Sequence, residues 1–186
     1  MTENPSSATA SPGQSATAEP VPGRWLLDPA GSTVAFDHKT LWGMANVHGT
    51  FSDVSGEGTL AADGTGSGTV TVATASLDTK HTTRDKHLRS ADFFHVEAYP
   101  TLTFTVRSAT RGANNTVQVA GSVNVRGNIR PLTFTARATE LTADAVTLTA
   151  ELVADRAWFG MNWNRLGMLR GLATITLTTR FSRRAE

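Results

Sequence analysis

The stretch HTTRDKHLRSADFFHVEAYP, His81 to Pro100, holds the densest set of groups in this chain that could do chemistry. Three of the five histidines lie in it, with Arg84, Asp85, Arg89 and Asp92 between them. A helical zinc site sets two histidines four residues apart so that both face one way. His81 and His87 are six apart, about 600° of helical rotation, so they share no face. Nucleophilic catalysis needs a hydroxyl held by a base and an orienting acid. Ser76, Ser90 and His87 are available, but no G-x-S-x-G elbow surrounds either serine. A plainer role competes with both: Arg84 and Asp85 can form a buried pair that pins a helix in place.

The local pattern around these residues is helical. Thr82 or Thr83 can cap the N-terminus, and Asp85 then falls in the first turn, where the helix dipole favours a carboxylate. Leu88 and Ala91 are three apart, and Phe94 or His95 continues the stripe. Pro100 stops the helix and pushes Tyr99 toward an extended conformation. The expectation is a helix of two to three turns whose apolar edge, Leu88, Ala91, Phe93 and Phe94, packs on the end of a barrel.

Strand signals dominate the rest of the chain. Residues 1–23 are Ser, Thr, Ala and Pro without periodicity and read as a disordered polar tail. From Arg24 to Glu186 one domain shows period-two alternation in eight runs. These include Val34 and Phe36, Val70 and Val72, Leu102, Phe104 and Val106, and Ala173, Ile175, Leu177, Thr179 and Phe181. Short turns such as GANN and TAD join them. The fold class is all-β: roughly eight antiparallel strands, the pattern of a sandwich or a closed barrel, with a short helix after the third strand and an irregular or helical segment, RAWFGMNWNRLGMLRG, before the last. Many inward positions are Ala or Gly. They either leave room for an elongated ligand or fit a tight barrel taper.

Composition excludes several classes. The net charge is +1, so no global field draws nucleic acid or an anionic membrane. Cysteine is absent, which removes disulfides, thiolate zinc sites and cysteine nucleophiles. Hydrophobic residues make up 39% of the chain, enough for a core. No apolar run can span a bilayer, and the N-terminus has neither a basic nor an apolar region of a signal peptide. The expected location is therefore cytoplasmic.

The run LDTKHTTRDKHLRSADFFHVEAYPTLTF resembles the signature of the YceI-like family, T-x-x-x-x-RD-x-HL-x-S-x-D-F-F followed by YP and a strand. WLLDPAGSTVAFDHKTLWGMANVHGTFSDVSGE is similar to that family's W-x-D-x-x-x-S-x-V-x-F start. VAGSVNVRGNIRPLTF resembles its central hairpin, and Arg156, Phe159 and Gly160 its late R-x-x-F-G element. The resemblance covers Arg24 to Phe181. It implies a lipocalin-like barrel with an elongated apolar tunnel that binds polyprenyl lipids, isoprenoid quinones or similar long amphiphiles. It implies a binding protein rather than an enzyme, without cofactor or metal, and it allows a homodimer. The missing signal peptide departs from the several periplasmic members.

A flexible isoprenoid needs a long, narrow apolar bore. The strand positions expected to line it are Phe36, Phe51, Val72, Phe104, Phe134, Leu148, Ile175 and Leu177. Trp42 comes from the first connection, Leu88, Phe93 and Phe94 from the helix, and Trp158 and Phe159 from the late segment. Met44, Met161, Trp163 and Met168 suit an adaptable mouth. Arg84, His87 or Arg156 can meet a head group or serve as structural pins. A fatty amide or a haem-like ring is an alternative ligand. A lipid-processing enzyme and a protein-interaction barrel with a filled core are alternative functions.

Overall fold

The computed structural model describes residues 19–40, 44–164, 167, 169 and 172–184. The elements run β1 (Gly23–Thr40), β2 (Ala45–Phe51), β3 (Val54–Leu60), β4 (Gly66–Ala73), β5 (Leu77–Asp78), α1 (Thr82–Arg89), β6 (Thr101–Arg111), β7 (Thr116–Val125), β8 (Asn128–Leu141), β9 (Ala145–Ala154) and β10 (Ala173–Arg183). All pairings are antiparallel, and β10 closes the sheet on β1. Closure leaves no long edge for another chain to pair with.

Ten strands make eight staves. β1 is bent, so that Gly23–Leu26 pairs with β3 while Val34–Thr40 pairs with β2. β2 and β3 form one kinked stave, broken at Ser52 and Asp53, and β5 adds only two residues beside β2. Of the two architectures that the alternation allows, this is the closed barrel, eight-stranded and lipocalin-like as the family resemblance implies.

The bend in β1 has a local cause. Asp28 Oδ1 accepts from the Ala30 N–H at 3.0 Å, and the Ser32 hydroxyl donates to the Asp28 carbonyl at 2.7 Å. These bonds form a turn inside the strand, and the register against β10 shifts between Asp28 and Thr33. Ser32 Oγ also accepts from the Arg180 N–H at 3.0 Å, which ties the bulge to β10. Asp28 and Ser32 of the opening run WLLDPAGS are thus the residues that turn β1 from one partner to the next.

Two further bulges redirect side chains. The β8–β9 register shifts between Ala138 and Glu140, so Leu141 rather than Glu140 reaches the interior. Glu140 turns outward and accepts from Arg180 Nε at 3.1 Å. In β6 the shift between Val106 and Ser108 brings Ala109 inward.

Helix α1 spans eight residues. His81, not Thr82 or Thr83, is its N-cap: the backbone is extended at His81, and its Nδ1 accepts from the Arg84 N–H at 3.3 Å. The chain enters through Lys80 at φ 59°, so both threonines already lie inside the first turn. Arg84 and Asp85 do not pair with each other; both converge on Thr79. Its backbone N–H and hydroxyl donate to Asp85 Oδ1, the former at 2.9 Å. Arg84 donates to Thr79 Oγ1 and to its carbonyl, each at 2.7 Å. Arg89 adds bonds to the carbonyls of Ala75 and Leu77. The polar signature therefore clamps α1 to the chain segment that leads into it.

The chain meets the barrel before Arg24. The Val21 N–H donates to the Ala143 carbonyl at 3.1 Å, and Trp25 Nε1 donates back to the Val21 carbonyl.

Candidate functional site: the barrel bore

One continuous cavity of about 620 Å³ runs through the barrel. Strands β6 and β7 have 11 and 10 residues. At about 3.3 Å per residue and a tilt of about 40°, such strands enclose a bore about 25 Å long. The wall is built from inward-facing positions: Val34 and Phe36 of β1, Val70 and Val72 of β4, Phe104 of β6, Leu148 of β9. Ala136, Ala138, Ala150, Ala154 and Ala173 face the same space. The small inward residues thus border open volume.

The expected lining residues are gathered here. Phe36, Phe51, Val72, Phe104, Phe134, Leu148, Ile175 and Leu177 all border the cavity. So do Leu88, Phe93 and Phe94 from the α1 segment, and Trp158 and Phe159 from the late segment. Trp42 and Met168 lie outside the described residues. Met44 does not line the bore; it is 79% exposed. Met161 and Trp163 do line it.

The two ends differ. At one end lie Glu19 and Pro20, the β3–β4 turn and Arg111, which is bridged to Glu19. The other end is capped by α1 and by the segment after β9. There Phe51 meets Phe94 edge-on at 5.5 Å, and Phe93 packs on Trp163 at 5.6 Å. Phe93, Val125, Phe159 and Met161 form a buried cluster under this cap. Asp155 Oδ1 caps the turn at Arg156–Phe159 by accepting from the Ala157 N–H. Gly160, at φ 72°, then reverses the chain, a conformation that glycine adopts without strain. Arg156 donates to the carbonyls of Met161 and Trp163 at 2.5 and 2.8 Å. The R-x-x-F-G element is therefore a latch: Phe159 plugs, Gly160 turns, and Arg156 holds the returning backbone.

The three histidines of the opening stretch diverge. His81 caps α1, His87 faces Asp92 at 3.1 Å, and His95 packs on Tyr99. His87 also packs edge-on against Trp163 at 4.5 Å.

A fourth histidine, His38, lines the bore and was missed by the sequence reading. The signal was present: His38 follows Val34 and Phe36 at the next inward step of β1. Both its ring nitrogens are buried and have no hydrogen-bond partner among the described residues. Burial pushes its imidazole below its ordinary value, and the nearby Arg156 guanidinium pushes the same way, against the smaller opposing effect of Asp155. Burial likewise lowers Arg156.

A closed eight-stave barrel with a full-length apolar bore and a helical cap defines a lipocalin-like ligand-binding architecture. Residues 25–181 match the YceI-like domain, and the chain belongs to that family. It is 36% identical over 131 residues to protein YceI of Escherichia coli O6:H1, covering 60% of this chain and 66% of that protein, just under two thirds of its length. Burkholderia cenocepacia BcnA superposes with a TM-score of 0.74 at 19% identity, over 83% of this chain and 98% of that one. A polyisoprenoid binding domain from Saccharophagus degradans superposes with a TM-score of 0.70 at 15% identity, over 86% and 98%. Among the described residues, no helix is long and apolar enough to cross a membrane.

Proposed function

We propose that this protein binds a long-chain isoprenoid, a polyprenyl lipid or an isoprenoid quinone, along the barrel bore, and that it carries, stores or sequesters it without chemical change. The observation that carries this reading is the single apolar cavity of about 620 Å³ that runs through the barrel. A ligand chain that buries about 500 Å² of apolar surface gains about 12 kcal/mol. Association and chain ordering cost about 4–15 kcal/mol, so tight binding requires a pre-formed bore. Closure of β10 on β1 supplies that preorganisation. The Saccharophagus degradans neighbour, described as a polyisoprenoid binding domain, supports the same ligand class.

The test is organic extraction of the purified protein followed by mass spectrometry. The expected result is a stoichiometric isoprenoid. A fatty amide would redirect the assignment, and recovery of no lipid after expression in several hosts would overturn it. Cell fractionation measures whether the protein works in the cytoplasm.

A further inference from the structure

Five groups that carry or can accept a positive charge line the capped end of the bore: His38, Arg84, His87, Arg130 and Arg156. Four are engaged by the protein, Arg130 through the Trp158 carbonyl at 3.2 Å. Arg84 is bound to Thr79, His87 faces Asp92, and Arg156 holds the carbonyls of Met161 and Trp163. Among the described residues, His38 has no hydrogen-bond partner at either ring nitrogen, although both are buried. Buried imidazole nitrogens are ordinarily satisfied, because each orphaned polar atom costs about 1–3 kcal/mol. Its cross-strand neighbour is Val47, which offers no side-chain partner.

We propose that His38, with Arg156 beside it, is a head-group subsite for a lipid whose polar end is a single neutral oxygen function, a hydroxyl or a carbonyl. This rests on the reading of the bore as a lipid site and adds a polarity to it: the oxygenated end lies under the α1 cap and the tail runs toward Arg111. A neutral imidazole offers one N–H donor and one acceptor nitrogen, which match a carbonyl or a hydroxyl. The positive charge of Arg156 favours the lone pairs of such an oxygen. A diphosphate fits poorly. Burying its charge requires several direct N–H donors, and Nε and Nη2 of Arg84 and Nη1 of Arg156 already donate to the protein.

The test uses four probes on the full chain, followed by tryptophan fluorescence: geranylgeraniol, geranylgeranylacetone, geranylgeranyl diphosphate and phytane, a hydrocarbon with no oxygen. His38→Leu is expected to weaken the alcohol, the ketone or both about tenfold, by leaving the buried oxygen unpaired. It leaves phytane unchanged, and His38→Gln restores part of the loss. Whichever oxygenated probe responds tells hydroxyl from carbonyl recognition. In the wild-type protein the His38 ring ¹⁵N resonances shift with that probe and not with phytane, a readout that does not require the variant to fold. Equal affinities of the wild type and His38→Leu for both oxygenated probes would overturn the subsite and leave the lipid bore standing. A diphosphate that binds more tightly than the alcohol would also overturn it. If no probe binds the wild type, phytane included, the bore reading itself fails.

Discussion

The Asp85 carboxylate accepts both the backbone N–H and the hydroxyl of Thr79, six residues earlier in the chain. Asp85 is buried, so these bonds are made out of water. Asp85→Ala orphans the Thr79 N–H and frees the start of α1. The expected loss is about 2–3 kcal/mol of stability, read as a lower urea midpoint. Lipid binding falls only as far as unfolding accounts for it.

Ala150 faces the bore opposite Leu177 on the next strand. Ala150→Trp fills the cavity from the wall without crowding a packed core. The barrel stays folded by circular dichroism, and extractable lipid falls at least tenfold. A variant that retained full lipid loading would place the ligand elsewhere.

Gly121 sits where β6 and β7 approach beside the bulge at Val106–Ser108. A methyl group there would lie 2.1 Å from the Thr105 carbonyl oxygen, which is backbone and cannot rotate away. Gly121→Ala is expected to cost about 2–3 kcal/mol through strand displacement. Gly66→Ala is the control for added bulk, since its nearest neighbours, Ala109 Cβ and the Ala109 carbonyl at 3.4 and 3.6 Å, lie at ordinary contact distance.

Burial lowers His38 from its ordinary value of 6.5. The unfolded chain therefore takes up a proton at this residue at higher pH than the folded chain does. Its contribution to stability is complete above about 6.5, declines as the pH falls toward the folded value, and then levels off. His38→Leu should flatten that part of the profile, measured as thermal midpoints across pH ~5–7.5.

The hydrogen bonds from Arg180 and Thr147 hold Glu140 below the ordinary carboxylate range. The stability from this exposed pair is present above the ordinary glutamate value and is lost as the pH falls through the folded value. Glu140→Gln removes that acid-side slope: it lowers stability slightly near neutral pH, where the pair is ionised, and leaves stability unchanged below the folded value. High salt reduces the difference between the two proteins.

Alternation of side chains along each strand is a local property, and it was legible. Phe36, Phe104, Leu148 and Leu177 follow from counting by twos, because a pleated strand sends every second side chain to one face. Arg84, Asp85 and Leu88 could be placed in a short helix because dipole and apolar spacing act within a few residues, but the cap is His81 and the helix ends at Arg89, well before Pro100. The partner of Asp85 could not be read, since Thr79 reaches it only once the chain has turned through Lys80. The bulge at Asp28–Ser32 was visible as a motif, but its effect on pairing needed β10 in place. His38 stood on the expected inward face, yet its isolation depends on β1 meeting β2 and on the Arg156 latch folding across the barrel end. Strand pattern and motif spacing determine which residues face inward. Only closure of the barrel decides which inward polar groups find a partner, because those contacts join segments more than a hundred residues apart in the chain.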